Sequence, residues 1–152
     1  MTPKKEKELR DKIIAEAKSW IRTPYHHEAG VKGAGVDCGY FLIKVFSESG
    51  CMPDIKPAHY PKDFMCHRDN EWFVETILQF AKEITGYEQK DYKPADVVVF
   101  RQGRIFCHGS IILDWPMIIH SSATDKCVAY GDASLIPWCN KERRVFRYKE
   151  FK

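Results

Sequence analysis

Gly35-Val36-Asp37-Cys38-Gly39-Tyr40-Phe41-Leu42-Ile43-Lys44-Val45-Phe46 is a glycine-bearing loop that runs into a helix, with a cysteine in the first turn. Phe41, Leu42, Val45 and Phe46 recur at helical spacing, which predicts an amphipathic helix from Cys38 to about Ser49, with Gly50 as its terminator. Asp37 is placed to cap it, because its carboxylate can accept from the free backbone N–H groups two and three residues on. Cys38 then sits where unpaired N–H groups and the helix dipole favour negative charge, an environment expected to stabilise a thiolate. The alternative for such a cysteine is an inert small hydrophobe.

Upstream, Thr2-Pro3 opens a first helix, with Thr2 as cap and Pro3 at the first helical position, where its missing N–H costs nothing. Leu9, Ile13, Ala17 and Trp20-Ile21 extend it over about residues 3–21, and Thr23-Pro24 ends it. The loop Tyr25 to Val36 carries three glycines and the adjacent His26 and His27. Downstream, prolines 53, 57 and 61 mark residues 51–66 as a connector without regular structure. A third helix is predicted from Asp69 to Thr85, with Phe73, Ile77, Phe80, Ala81 and Ile84 on one face and Gly86 closing it. The period then changes to that of strands: 96–100, 105–113, 117–121, 126–130 and 144–148, with turns at Gln102-Gly103 and Asp114-Trp115-Pro116. Helices first and hairpin-linked strands second predict an α+β fold, its helices packed on an antiparallel sheet of about five strands.

The chain of 152 residues is long enough for one well-filled core, and at 44% hydrophobic and 13% aromatic it reads as a single globular domain over 1–152. A net charge of +3, with basic residues scattered apart from Lys4-Lys5 and Arg143-Arg144, supplies no footprint for nucleic acid. No run reaches the length of a membrane span. Met1 to Lys12 lacks the apolar stretch of a secretory signal, so a cytoplasmic site of synthesis and reduced thiols are expected for cysteines 38, 51, 66, 107, 127 and 139. None of them forms a C-x-x-C pair, and neither a metal nor a cofactor is expected.

A thiol nucleophile needs a base that also protonates the leaving group, and imidazole is the usual one. His108 lies inside the strand 105–113 beside the small residues Gly109 and Ser110, and His120 ends the strand 117–121. A short turn joins the two strands, so they should be antiparallel neighbours on which a shared face for the two histidines is easy to build. Cys38, His108 and His120 then supply nucleophile, base and orienting group. The competing readings are half-buried strand histidines satisfied by neighbours, or metal ligands completed by Cys107 or Cys127. Cys107 and His108 point to opposite faces of one strand, which weakens the metal reading. His26-His27 read equally as ligands and as solvent-facing loop residues. The adjacent Cys66-His67 diverge in direction, and the Trp72/Phe73 pair reads as core.

Thr23-Pro24-Tyr25, Gly35-Val36-Asp37-Cys38, Pro94-Ala95-Asp96-Val97-Val98-Val99-Phe100, His108-Gly109-Ser110-Ile111-Ile112-Leu113 and Met117-Ile118-Ile119-His120-Ser121 follow one another in this order. Together they resemble the NlpC-type cell-wall peptidases, a papain-like group of cysteine hydrolases, over about residues 9–125. The resemblance implies Cys38 as nucleophile, His108 as general base and His120 as its orienter. It places Tyr25, Asp37 and Gly39 near the substrate, with the Cys38 backbone N–H and the Tyr25 hydroxyl facing the oxyanion. The implied substrate is a peptidoglycan stem peptide, cut at the γ-D-glutamyl bond to a diamino acid. Gly39 stands where relatives carry serine, a residue that helps them hold the substrate's N-terminal part. The connector and helix at about 51–86 are an insertion similar to that of phage-tail and prophage members. This implies a tail or prophage enzyme, with tail proteins as partners and the virion tail as its place of action at the wall. The alternatives are a tail or assembly component that keeps the fold without the activity, and a related amidase or acyltransferase.

Overall fold

The computed structural model describes residues 1–62, 71–84 and 88–152. Helix α1 spans Pro3–Ser19, with the Thr2 hydroxyl accepting from the Lys5 N–H at 3.3 Å and Pro3 in its first turn. Two short strands, β1 (Gly30–Val31) and β2 (Gly35–Val36), form a hairpin inside the loop that leads to α2 (Cys38–Glu48). A short helix α3 (Trp72–Ile77) follows the irregular connector. The strands are β3 (Ala81–Glu83), β4 (Val97–Gln102), β5 (Ile105–Asp114), β6 (Met117–Ser122), β7 (Cys127–Asp132) and β8 (Arg143–Tyr148). They make one sheet in the order β3-β8-β4-β5-β6-β7, antiparallel at every step. The α+β class holds, with six strands against the expected five or so.

The sixth strand lies where the third helix was predicted. Within the described part of 69–85, helix covers only Trp72–Ile77, and Ala81–Glu83 pairs with β8 as Ala81↔Tyr148, Lys82↔Arg147 and Glu83↔Phe146. Asp69, Thr85, Gly86 and the Cys66-His67 pair lie outside the described residues. The apolar spacing was real, since Phe73, Ile77, Phe80 and Ala81 are all buried. The unpaired edge of β8 nevertheless offered backbone partners that a continuing helix could not use, and long-range pairing overrode local periodicity.

The sheet is covered on both faces. Val97, Val99, Ile111 and Ile119 pack beneath Ile13 and Ala17 of α1, Phe41, Val45 and Phe46 of α2, and Phe73 of α3. Gly109 permits that approach: a Cβ there would collide with Leu42 and lie 3.0 Å from the Phe73 ring. Val98, Phe100, Ile112, Ile118 and Val145 form the opposite face, under Trp115, Ala133 and Trp138.

One buried charge cluster ties the ends of the chain to the sheet. Asp96, fully buried, accepts from Arg147 Nε at 3.0 Å and Nη2 at 2.7 Å, from Arg10 Nη1 at 3.2 Å and from the Lys93 N–H at 2.9 Å. Arg10 also donates to Glu6 at 2.9 Å, and Glu6 accepts from the Lys152 N–H at 3.1 Å. Removing the carboxylate would take from Arg147 its carboxylate partner and from Arg10 one of two, with both guanidinium groups still buried. Asp96→Ala is expected to lose about 3–5 kcal/mol of stability in urea denaturation; a loss within about 0.5 kcal/mol would show the cluster to be dispensable.

Candidate active site

Cys38 is the first residue of α2, and the side chain that places it is Asp37. The Asp37 carboxylate is buried and accepts from the Tyr40 N–H at 2.9 Å, from the Glu28 N–H at 2.8 Å and from the Tyr60 hydroxyl. The first bond is the predicted helix cap. The other two join the preceding loop and the connector to the same carboxylate. Asp37 lines the cavity beside Cys38, and its acceptor positions are taken up by Tyr40, Glu28 and Tyr60.

His108 and His120 meet across β5 and β6, with Nε2 of His108 2.8 Å from Nδ1 of His120. The register Ile111↔Ile119 and Ile112↔Ile118 explains it. Carried one residue beyond Ile111↔Ile119 it sets Ser110 opposite His120, so His108 lies diagonally across on the same face. A bulge contributes: Phe100 pairs with His108 and Arg101 with Phe106, so the register shifts at Cys107. Bulges bend the strand and re-aim its side chains. The Cys107 carbonyl accepts from Cys38 Sγ at 3.4 Å, which seats Cys38 against the strand that carries His108.

Cys38 and His108 line one cavity of about 200 Å³ with Tyr25, His27, Asp37, Gly39, Tyr60 and Trp138 among its walls. Every predicted site residue except His120 therefore faces this space, and His120 stands behind His108. His27 is held at the rim, its Nε2 2.8 Å from the Tyr60 carbonyl. Among the described residues no three metal-ligating side chains cluster. Among the described residues no helix is long and apolar enough to cross a membrane, and Cys38, Cys51, Cys107, Cys127 and Cys139 are free thiols.

The protonation state differs from the thiolate expected at a helix N-terminus. Burial pushes the Cys38 thiol up, and the charges of Asp37 and Cys107 add to the effect, outweighing the backbone N–H groups of Gly109 and Cys38 that point at the sulfur. The residue that caps the helix thus opposes charge on the sulfur next to it. Burial likewise lowers His108 from 6.5 to about 3, helped by His120 and Lys141, and lowers His120 to about 4, with Asp125 opposing. The resting site holds a thiol and two neutral imidazoles. Asp125 Oδ2 stands 3.9 Å from His120 Nε2. When His120 carries its proton on Nε2, its Nδ1 accepts from His108 Nε2–H and Nδ1 of His108 is left unprotonated.

Three contributors escaped the sequence reading. Tyr60 donates to Asp37, Asp125 flanks His120, and Trp138 stacks on His108 at 4.6 Å between ring centroids. None has a spacing that points to the site. Gly39 gains an explanation: a Cβ there would stand 3.3 Å from the Phe73 ring, so α3 occupies the room that a larger side chain beside the nucleophile would need.

Comparison with known proteins identifies this arrangement of elements. No protein-family model matches the chain, and no curated protein matches it in sequence. Solved structures do match. An N-acetylmuramoyl-L-alanine amidase from Bacteroides uniformis superposes with a TM-score of 0.68 at 13% identity, over 94% of this chain and 100% of that one. The peptidoglycan hydrolase RipB from Mycobacterium tuberculosis gives 0.66 at 13% identity, over 99% and 70%. The NlpC/p60 domain of the peptidoglycan hydrolase SagA gives 0.61 at 19% identity, over 90% and 97%. This chain has the NlpC/P60 fold. It spans less than half of some relatives, as with NlpC1 from Trichomonas vaginalis, where 95% of this chain covers 45% of that one at a TM-score of 0.66 and 16% identity. What these structures share with this chain is the arrangement of elements described above.

Both histidines are neutral in the folded state and protonate more readily in the unfolded one, so stability is fully present above the unfolded value near 6.5 and is lost as pH falls towards about 4 and 3. The melting temperature should fall across that window, and the His108→Gln/His120→Gln variant should show a shallower slope. Equal slopes for the two proteins would contradict the neutral pair.

Proposed function

We propose that the protein is a cysteine hydrolase that cleaves an amide bond in peptidoglycan stem peptides through a thioacyl intermediate. The observation that carries this reading is the convergence of Cys38 and the hydrogen-bonded pair His108–His120 on one cavity of an NlpC/P60 fold. His108 Nδ1 takes the Cys38 proton as sulfur attacks the scissile carbonyl. The resulting imidazolium keeps its Nε2–H bond to His120, whose charge balance is supported by Asp125. This reading assigns the oxyanion to the backbone N–H of Cys38, at the start of α2, and to the hydroxyl of Tyr25, which lines the same cavity. Each such donor contributes on the order of 3 kcal/mol to transition-state stabilisation. His108 then protonates the leaving amine and activates the water that releases the acyl group.

Within this proposal the bond is the γ-D-glutamyl link to a diamino acid, on the resemblance of the motifs around Cys38, His108 and His120. A second reading, hydrolysis between muramic acid and L-alanine, is favoured by the end-to-end superposition on the Bacteroides uniformis amidase. Deployment from a phage tail rests on the resemblance of the 51–86 insertion alone.

Mass spectrometry of purified muropeptides separates these readings. The endopeptidase reading expects the stem split after its γ-linked residue, whereas the amidase reading expects an intact stem bearing a new N-terminal alanine. Cys38→Ala should reduce either reaction by on the order of 10³-fold or more. Unchanged cleavage by that variant would overturn the assignment. Because the base remains neutral well below 6.5, kcat/KM should stay level from about pH 8 down to about pH 5. An acid limb centred near 6.5 would instead indicate a solvated His108.

A further inference from the structure

Between β7 and β8 the chain crosses the second face of the sheet, and one turn of 3-10 helix, Trp138–Asn140, sets an indole down on the cross-strand pair Phe100–His108. The indole and the His108 imidazole are stacked, 4.6 Å apart and 15° from parallel. The same indole meets Phe100 at 4.9 Å and the His120 ring edge-on at 5.4 Å and 74°. One side chain therefore lies along the whole His108–His120 hydrogen bond and also forms part of the cavity wall.

We propose that Trp138 is a positioning residue for the hydrolase reaction, covering the His108–His120 pair so that water does not compete for their hydrogen bond and the His108 ring keeps its plane. The inference rests on the cysteine-hydrolase reading of the site. A hydrogen bond between two neutral rings is modest when water can replace either partner, and it strengthens when water is excluded. A flat indole is suited to this cover because it excludes water from one imidazole face while leaving the in-plane nitrogens free. Rotation of His108 would break the bond to His120, and stacking opposes that rotation. A purely structural cover for Phe100 and its neighbours would need only bulk. The two roles differ in what they do to the imidazole.

The charged and titratable groups around the pair are His120 on β6, Asp125 on the β6–β7 turn and Lys141 on the same loop as Trp138. Across the cavity stand Cys38, Asp37, Tyr25 and Lys62. Lys141 travels with the Trp138 loop, so its charge has to be tested separately from the ring.

The experiment is an NMR titration of the His108 and His120 imidazoles in the full chain, with Trp138→Ala, Trp138→Phe and Lys141→Met beside the parent, together with kcat/KM on muropeptides over the same pH range. Trp138→Ala should raise the His108 midpoint by about one pH unit or more and bring a matching acid limb into kcat/KM with little change in KM. Trp138→Phe should restore most of the parent behaviour, and Lys141→Met should shift the midpoint by less than Trp138→Ala. A folded Trp138→Ala protein with the parent midpoint would overturn the proposal, and so would Lys141→Met matching its shift. If Trp138→Ala does not fold, Trp138→Leu keeps bulk without a flat face; a parent-like midpoint in that variant also refutes the role. The titration reads out even in a protein that hydrolyses nothing. Absence of cleavage with a shifted midpoint thus counts against the hydrolase reading and leaves the cover intact.

Discussion

The carboxylate of Asp37 is the constraint on which the site is built. It is buried, so every acceptor position must find a donor, and the donors it finds come from three separate stretches: the first turn of α2, the loop at Glu28 and the connector at Tyr60. A cap of this kind contributes about 1 kcal/mol to the helix. Its larger effect is geometric, since satisfying one carboxylate brings loop, helix start and connector to a single point beside Cys38. The same negative charge works against a thiolate. Burial of His108 acts in the same direction, so the resting site favours a neutral thiol and a neutral imidazole over an ion pair.

The second half of the site depends on antiparallel register. Strands β5 and β6 bring two histidines twelve positions apart in sequence to hydrogen-bonding distance, and the bulge at Cys107 turns a backbone carbonyl toward the nucleophile. Holding that register is a task for the sheet as a whole. The Asp96 cluster contributes by clamping α1, the turn before β4 and β8 together from within. The face of the sheet away from the helices is also closed, and Trp138 belongs to its cover.

Local patterns were legible wherever one element's own period decided the outcome. The 3.6-residue spacing after Cys38, the Thr2-Pro3 start and the turn-bounded runs 105–113 and 117–121 describe elements that the structure contains. The reading failed at 78–84, where the same apolar residues satisfy a helix face and an edge strand equally well, and the open side of β8 made the choice. The ionisation of Cys38 was misjudged for a related reason. The dipole and free N–H groups of a helix start can be inferred from an N-cap, whereas the depth of burial cannot.

The sequence alone determined which residues could do chemistry: a cysteine behind a capping aspartate, and two histidines on strands close enough along the chain to pair. Those are consequences of side-chain type and short-range periodicity, and they survive in any fold that keeps the elements. Only the tertiary structure decided that Asp37 is consumed by Tyr60 and Glu28, that Phe73 fills the space over Gly39, and that Asp125 and Trp138 attend the histidine pair. Each of these contacts joins residues from different elements through loops whose paths no local pattern encodes. They were settled by the demand that buried polar groups be paired and buried faces be covered.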